Sequence, residues 1–471
     1  YLAKVIFMSL PLYQEIEYKG PALYFKLFSD FSNTVFCDGN SVNSEQSKYS
    51  FIAIDPAAVF LGKDGVASYN NIKFKCLDPL EYMKKKHSNF SHKNIPSLPP
   101  FQGGFAGVFS YDFARYLENI PSLAIDDRGY YDFAFAYYDL VISFNHASKQ
   151  AWIVSNGFPE DNTDKRTNRA KARIKWLEGF LSTASAPAID LTQCGNITSN
   201  FTRPEYKKTI IKCMDYIRQG DIFEANLAQR FQCDLKAGTE IPLYLKLREH
   251  NNAPFSAYSN IANTHILSTS PERFLSLKNR QVEARPIKGT SRRSTCQIKD
   301  AKLAQQLCHS AKDRAENIMI VDLMRNDLSR VSKPASVAVA KLCCLESYVN
   351  VHHLVSVIKS ELNPNEDAFS LLKAAFPGGS ITGAPKIRAM AIIDELEPHR
   401  RGPYCGSLGY ISANGDMDFS ILIRTLVIKD NIINFHSGGA ITLNSDPEAE
   451  YMETIVKAEK LQQALNASCF A

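Results

Sequence analysis

No run of apolar residues in this sequence approaches the ~18–20 needed to span a bilayer. The richest stretch, residues 130–144, is interrupted by Asp132 and Asp139 and alternates in part, so it reads as one strand. The chain has 11 cysteines but no Cys-x-x-Cys pair, and Cys343 and Cys344 are merely adjacent. An odd count without metal-type spacing argues against a zinc site and fits reduced thiols in a cytoplasmic protein. Solenoid-period repeats and long low-complexity tracts are absent. So are the Gly-x-Gly-x-x-Gly and Gly-Lys-Ser/Thr phosphate-binding spacings. The net charge is only +5 and is spread along the chain. That excludes the concentrated basic face of a nucleic-acid binder, while suiting an anionic small-molecule substrate. The chain opens on Tyr1, so the lack of a targeting segment carries no weight.

What remains is a globular enzyme composition, 45% apolar and 22% charged. At 471 residues the chain exceeds the ~250–300 that one simple core organises, so two lobes are expected. The first, residues 1–190, carries short strand-like runs such as Val35-Phe36-Cys37 and Ser50-Phe51-Ile52-Ala53-Ile54, broken by Gly, Asp-Pro and Asn-rich turns. A glycine-rich segment, Gly103-Gly104-Phe105-Ala106-Gly107, precedes Tyr111-Asp112, and a Lys/Arg/Ala-rich helix is expected over residues 163–181. Residues 182–200 are Ser/Thr/Ala/Pro-rich and read as a linker. Thr202-x-x-Glu205 with Pro204 has capping-box spacing and starts a helix running to about Arg218. Strands and helices then alternate to the end, giving a second lobe over residues 200–471.

Two acidic pairs stand out. Asp313 and Glu316, at i,i+3, share one face of a helical stretch. Glu450 and Glu453 repeat the spacing on a second helix, which Ser445-x-x-Glu448 would cap. Two helices presenting paired carboxylates suit a hard cation such as Mg²⁺; by spacing alone, such pairs more often serve the helix dipole. Two glycine-rich turns, Gly378-Gly379-Ser380-Ile381-Thr382-Gly383 and Ser437-Gly438-Gly439, offer free N–H groups to an anion or are simply tight connections. Lys288, in Arg285-Pro286-Ile287-Lys288-Gly289-Thr290, is by default a solvated charge. It becomes a nucleophile only if desolvation or a cationic neighbour, for which Arg285 is the candidate, lowers its pKa. Glu272 in Ser270-Pro271-Glu272-Arg273 is a turn acid or a general acid kept protonated by burial. His353 sits in an apolar strand, and Arg424 in a strand-like run demands an anionic partner if buried.

Taken together these segments resemble the chorismate-binding enzyme family, which includes anthranilate, aminodeoxychorismate, isochorismate and salicylate synthases. The resemblance runs over about residues 202–465. It rests on seven motifs in one order: Asp221-Ile222-Phe223 to Arg230-Phe231, Ser270-Pro271-Glu272-Arg273, Pro286 to Thr290, Ala315-Glu316 to Arg325-Asn326-Asp327, His353-Leu354-Val355-Ser356, Gly383-Ala384-Pro385-Lys386 and Asp446-Pro447-Glu448-Ala449-Glu450-Tyr451. A looser match in the first lobe joins Pro100-Phe101-Gln102-Gly103-Gly104-Phe105 to Tyr111-Asp112. It implies an α+β fold of two intertwined lobes, built on large, mainly antiparallel sheets packed as a sandwich with flanking helices.

The resemblance also implies roles. Mg²⁺ would be held directly by Glu316 and Glu453 and through water by Asp313 and Glu450. Asp313 departs from the glutamate expected there. Tyr410, Arg424, Gly438, Gly439 and Lys457 would grip the substrate carboxylates, with Ser380, Gly383 and His353 near the ring. Lys288 selects the aminodeoxychorismate branch, because anthranilate synthases carry alanine in its place. It would attack C2 of chorismate while Glu272 protonates the departing C4 hydroxyl, and ammonia would then add at C4. Glu224 stands where glutamine is usual in such synthases, and where enzymes adding water carry lysine. No amidotransferase signature is present, so ammonia is expected from a separate glutamine amidotransferase subunit. The element through which relatives bind a regulatory tryptophan corresponds to Val35-Phe36-Cys37-Asp38-Gly39, whose departure argues against that regulation. The rival expectations are an anthranilate synthase component and a non-catalytic chorismate-binding scaffold.

Overall fold

The early strands are patterned for one buried face each. Ala58–Lys63 alternates buried and half-buried residues along its length, the period-2 signature of a strand with one face on a core. Gly104–Phe109 is buried at every position, as a strand covered on both faces must be. In the computed structural model, which describes residues 10–39, 45–90, 92, 94–185, 194–235, 238–349 and 351–465, such segments form two large sheets whose named strands all pair antiparallel. One runs Leu12–Ile16, Gln150–Ser155, Leu140–Asn145, Tyr49–Ala53, Val35–Asp38, Phe255–Ser259, His265–Ser270, Thr425–Lys429, Ile432–Ile441, Glu224–Asp234 and Thr198–Ser199. The other runs Ile287–Arg292, Val351–Glu361, Gln281–Ala284, Arg273–Lys278, Met417–Ile421, Ser407–Ser412, Gly104–Phe109, Phe133–Tyr138, Ala58–Lys63, Val66–Tyr69 and Ile72–Lys75. The fold is α+β, and strands from before and after the expected linker share both sheets. Residues 186–193 of that linker lie outside the described residues.

The sheets face each other across a core that includes Val35, Phe51, Ala106, Tyr138 and Tyr410, with Val108, Ile266 and Leu408 further along. Each fully buried aliphatic or aromatic side chain there contributes ~1.5–3 kcal/mol. Helices cover the outer faces. Thr163–Thr183 lies on Gln150–Ser155, Ala311–Ser329 on Val351–Glu361, and Pro447–Leu465 on Ile432–Ile441. No helix among the described residues is long and apolar enough to cross a membrane.

Local chemistry explains most boundaries. The Thr202 capping box forms in both directions on the Arg203–Arg218 helix, a cap of about 1 kcal/mol. Two expectations change. Residues 130–144 are not one strand but two, Phe133–Tyr138 and Leu140–Asn145, which belong to different sheets. The chain crosses between them at Asp139, whose buried carboxylate is paired with Arg169 and Arg173. Ser445 does not cap the last helix either: Asp446 accepts from the Ala449 N–H, and the Ser445 hydroxyl donates to Glu450 Oε1 at 2.7 Å.

Candidate active site

Lys288 is 7% exposed, not a surface charge. Its strand, Ile287–Arg292, pairs with Val351–Glu361 as Ile287 with Val355 and then Thr290 with His353, so one extra residue is inserted. Gly289 takes φ +84° at this bulge. Bulges re-aim side chains beside active sites, and here Lys288 turns inward. A Cβ on Gly289 would also lie 2.9 Å from Asp313 Cβ, so glycine lets the Ala311–Ser329 helix close on the strand.

The inward ammonium meets acids from several elements. Lys288 Nζ donates to Glu224 Oε1 at 2.6 Å and to Asn226 Oδ1 at 3.4 Å, both on the Glu224–Asp234 strand of the other sheet. Burial pulls the Lys288 pKa down, but the Glu224, Glu316 and Glu272 carboxylates outweigh it and hold the group above the ordinary lysine value. Arg285 is not the neighbour that tunes Lys288. Its guanidinium is paired with Glu346 and lies 3.8 Å from Glu283.

Glu272 is buried and pushed up to about 7, chiefly by desolvation. It accepts from the Ser380 hydroxyl at 2.5 Å and from the Ile287 N–H at 3.4 Å, the residue before Lys288. The site thus holds an acid that keeps its proton near neutral pH and a cationic amine beside it. His353 Nδ1 lies 2.8 Å from Thr290 Oγ1, while Nε2 is buried without a hydrogen-bond partner among the described residues. Burial, then Arg424, lowers the imidazole to about 3, so it is neutral. The Gly383 turn abuts Glu224: Gly383 has φ +147°, and a Cβ there would sit 2.1 Å from Glu224 O.

Arg424 adopts φ +52°, a strained value for arginine. The Thr269 N–H and hydroxyl both donate to its carbonyl at 3.1 Å and pin it. Burial lowers the guanidinium pKa, with no carboxylate offsetting the effect among the described residues. A half-buried cation with no counter-ion among the described residues is a receptor for an anion. Half-buried Lys460, which the sequence reading did not single out, is likewise lowered by burial and by Arg424.

The carboxylate pairs face each other from the Ala311–Ser329 and Pro447–Leu465 helices. Lys312 bridges them, with Nζ 3.3 Å from Glu450 Oε1 and 3.9 Å from Glu316 Oε1. Glu450 Oε2 and Glu453 Oε1 each lie 3.3 Å from where a Cβ on Gly439 would stand, so that glycine leaves room between them. Glu316 is pushed up to about 7 by burial, opposed by Lys288 and reinforced by Glu224, and its Oε1 has no hydrogen-bond partner among the described residues. Glu453, paired with Lys457 at 2.5 Å, lies below its ordinary value because the lysine outweighs burial. Lys457 also donates to Gly438 O at 3.0 Å. Among the described residues no three such side chains are gathered tightly enough to hold a metal as they stand. The donor set is nonetheless all carboxylate, with one orphaned oxygen, and an ammonium marks a cation position between the helices. These residues fit a hard divalent cation once the carboxylates close in on it.

Tyr410 does not join this site. Alternation on Ser407–Ser412 turns it between the sheets, where it stacks on Phe101 and meets Phe51 edge-on. There it lines a separate cavity of about 460 Å³ with Asp38, Arg273 and Asp418. Tyr404, six residues earlier, stands by the site instead. It stacks on His436 with ring centroids 4.6 Å apart and lies against Arg401. Arg401 donates to Asn226 O at 2.6 Å and Ile381 O at 3.1 Å, tying the strand of Glu224 to the turn of Ser380. Its i,i+4 partner Glu397 was the sequence signal available for it.

This combination, two carboxylate-bearing helices facing a buried lysine and an unpaired arginine between two large antiparallel sheets, defines a class. The chain belongs to the chorismate-binding enzyme family, which matches residues 38–463. It is 39% identical to "Aminodeoxychorismate synthase component 1" of Escherichia coli (strain K12), over 94% of this chain and 95% of that one. It is 34% identical to "Anthranilate synthase component 1" of Cereibacter sphaeroides, over 96% and 93%. Among solved structures, anthranilate synthase component I from Streptococcus pneumoniae TIGR4 superposes with a TM-score of 0.80 at 30% identity, covering 89% of this chain and 93% of that one.

Proposed function

We propose that this protein is the synthase component of an aminodeoxychorismate synthase, converting chorismate and ammonia to 4-amino-4-deoxychorismate for p-aminobenzoate and folate synthesis. The observation that carries the reading is Lys288: a buried amine aimed into the site by the Gly289 bulge, next to the protonated Glu272. An amine so placed can attack a ring carbon while the neighbouring acid protonates the leaving hydroxyl, splitting one hard displacement into two easier ones. Arg424 supplies the counter-charge for a substrate carboxylate, and its charge helps keep the nearby His353 neutral. Glu316 and Glu453, with Asp313 and Glu450 behind them, would hold Mg²⁺. When bound, Mg²⁺ supplies a charge partner for the second carboxylate and electrostatic stabilisation of the ring as charge shifts.

Ammonia is drawn from a glutamine amidotransferase partner in the cytoplasm; the names of the relatives, each a numbered component, support a two-subunit assembly. Lys288→Met, which keeps volume and removes the nucleophile, tests the reading. Chorismate turnover with Mg²⁺ and ammonium should fall by orders of magnitude while Mg²⁺-dependent chorismate binding persists. Unchanged turnover would remove Lys288 from the chemistry.

A further inference from the structure

One carboxylate in the site has no task in the reaction just described. Glu224 is completely buried. One of its oxygens holds Lys288 at 2.6 Å, and the other, Oε2, has no hydrogen-bond partner among the described residues. A buried carboxylate with one free oxygen is costly unless it has work to do. Its backbone is fixed as firmly as its side chain. Glu224 pairs with Ala384, and Gly383 packs flat on its carbonyl. Two residues on, Asn226 gives Lys288 a second acceptor, anchors itself to Ser380 O and is clamped by Arg401. The lysine is therefore held between Glu224 on one sheet and its own strand on the other.

Resting on the reading above, we infer that Glu224 is the proton acceptor that turns the Lys288 ammonium into a nucleophile, and the group that aims it. The ammonium cannot attack, since its lone pair is bound to a proton. At 2.6 Å that proton passes to Glu224, leaving a neutral amine and a carboxylic acid. The amine lone pair forms the C2–N bond, the two conjugated ring double bonds each shift one position toward C4, the C4–O bond breaks, and the Glu272 proton leaves with the hydroxyl as water. Ammonia then forms the C4–N bond, the two ring double bonds shift back, and the C2–N electron pair returns to Lys288. Glu224 gives its proton back to the amine, and the new C4 ammonium restores the proton on Glu272. Protons and charge balance over the cycle. Glu224 acts through Lys288 and is a positioning residue in that sense.

The test is Glu224→Gln, which keeps size and hydrogen-bonding reach but cannot accept the proton. Two readings are taken with chorismate and Mg²⁺: kcat and KM with ammonium, and, without ammonium, the rate at which intact protein gains the mass of chorismate less water. The inference predicts a fall of ~10²-fold in both kcat and the adduct rate, typical of losing a general base, with KM for chorismate changed less than about threefold. Glu224→Asp should recover part of both rates, because a carboxylate remains. Adduct formation and kcat at wild-type rates in Glu224→Gln would overturn the inference. A variant that fails in KM, or loses kcat without slowing the adduct, would overturn it too. Failure of the underlying reading is distinct: wild-type protein would then form no adduct at all, or Lys288→Met would keep its turnover.

Discussion

Replacing Glu272 by glutamine should stabilise the protein at alkaline pH and do so on a predictable slope. In the folded chain Glu272 holds its proton up to about pH 7, chiefly because burial penalises the carboxylate; the ordinary value is 4.5. The sign follows from proton binding. Below pH 4.5 both states are protonated and the group contributes no difference. Between 4.5 and about 7 the unfolded chain releases a proton that the folded chain keeps, so stability falls as pH rises. Above that window the buried carboxylate is ionised and the loss is complete. At ~1.4 kcal/mol per pH unit, the gap amounts to roughly 3 kcal/mol. Glutamine is never ionised and can still bond to the Ser380 hydroxyl. The assay is urea unfolding of wild type and Glu272→Gln from pH 5 to 8, in metal-free buffer. The variant should gain on the wild type by roughly 1 kcal/mol per pH unit through the lower part of that range and level off near pH 7 to 8, while losing synthase activity. A difference independent of pH would refute the argument that Glu272 is a buried, protonated acid.

The pH profile of turnover should fall on the alkaline side near pH 7, as Glu272 loses the proton it must donate. On the acid side the half-saturating Mg²⁺ concentration should rise as Glu316, also near 7, takes up a proton; a Mg²⁺ requirement flat from pH 6 to 8 would count against that ligand. Glu453→Gln should raise the Mg²⁺ requirement and Lys312→Met should lower it, since the Lys312 ammonium lies between the two carboxylate helices; magnesium titrations of activity read both. Tyr404→Phe should raise KM for chorismate by roughly 2–10-fold, the worth of one hydrogen bond. Tyr410→Phe should leave KM alone, and equal effects would undo the reassignment of the two tyrosines.

What the sequence made legible was local or carried by motif order. The Thr202 capping box needs four consecutive residues and forms as spaced. The i,i+3 carboxylate pairs lie on their helices because helical periodicity alone puts them there. What failed depended on distant partners. From its own neighbours Lys288 read as a surface charge with Arg285 beside it, and only the family resemblance put it in the site; the register of Ile287–Arg292 against Val351–Glu361 creates the bulge that buries it, and Glu346 takes Arg285 away. The family resemblance assigned Tyr410 to the substrate carboxylates, but strand alternation sends it between the sheets. The 130–144 run hid a change of sheet at Asp139, which its distant arginine partners alone explain. Lys312 drew no notice because its role lies across a helix–helix gap, although Glu316 four residues on was a signal.

The central claim is that Lys288 makes this chain an aminodeoxychorismate-forming enzyme within its family. The direct test is to incubate the purified protein with chorismate, Mg²⁺ and ammonium, without the amidotransferase, and identify the product by mass and fluorescence. The account predicts 4-amino-4-deoxychorismate, with the enolpyruvyl group retained and no fluorescent product. Fluorescent anthranilate with release of pyruvate as the main outcome would contradict it.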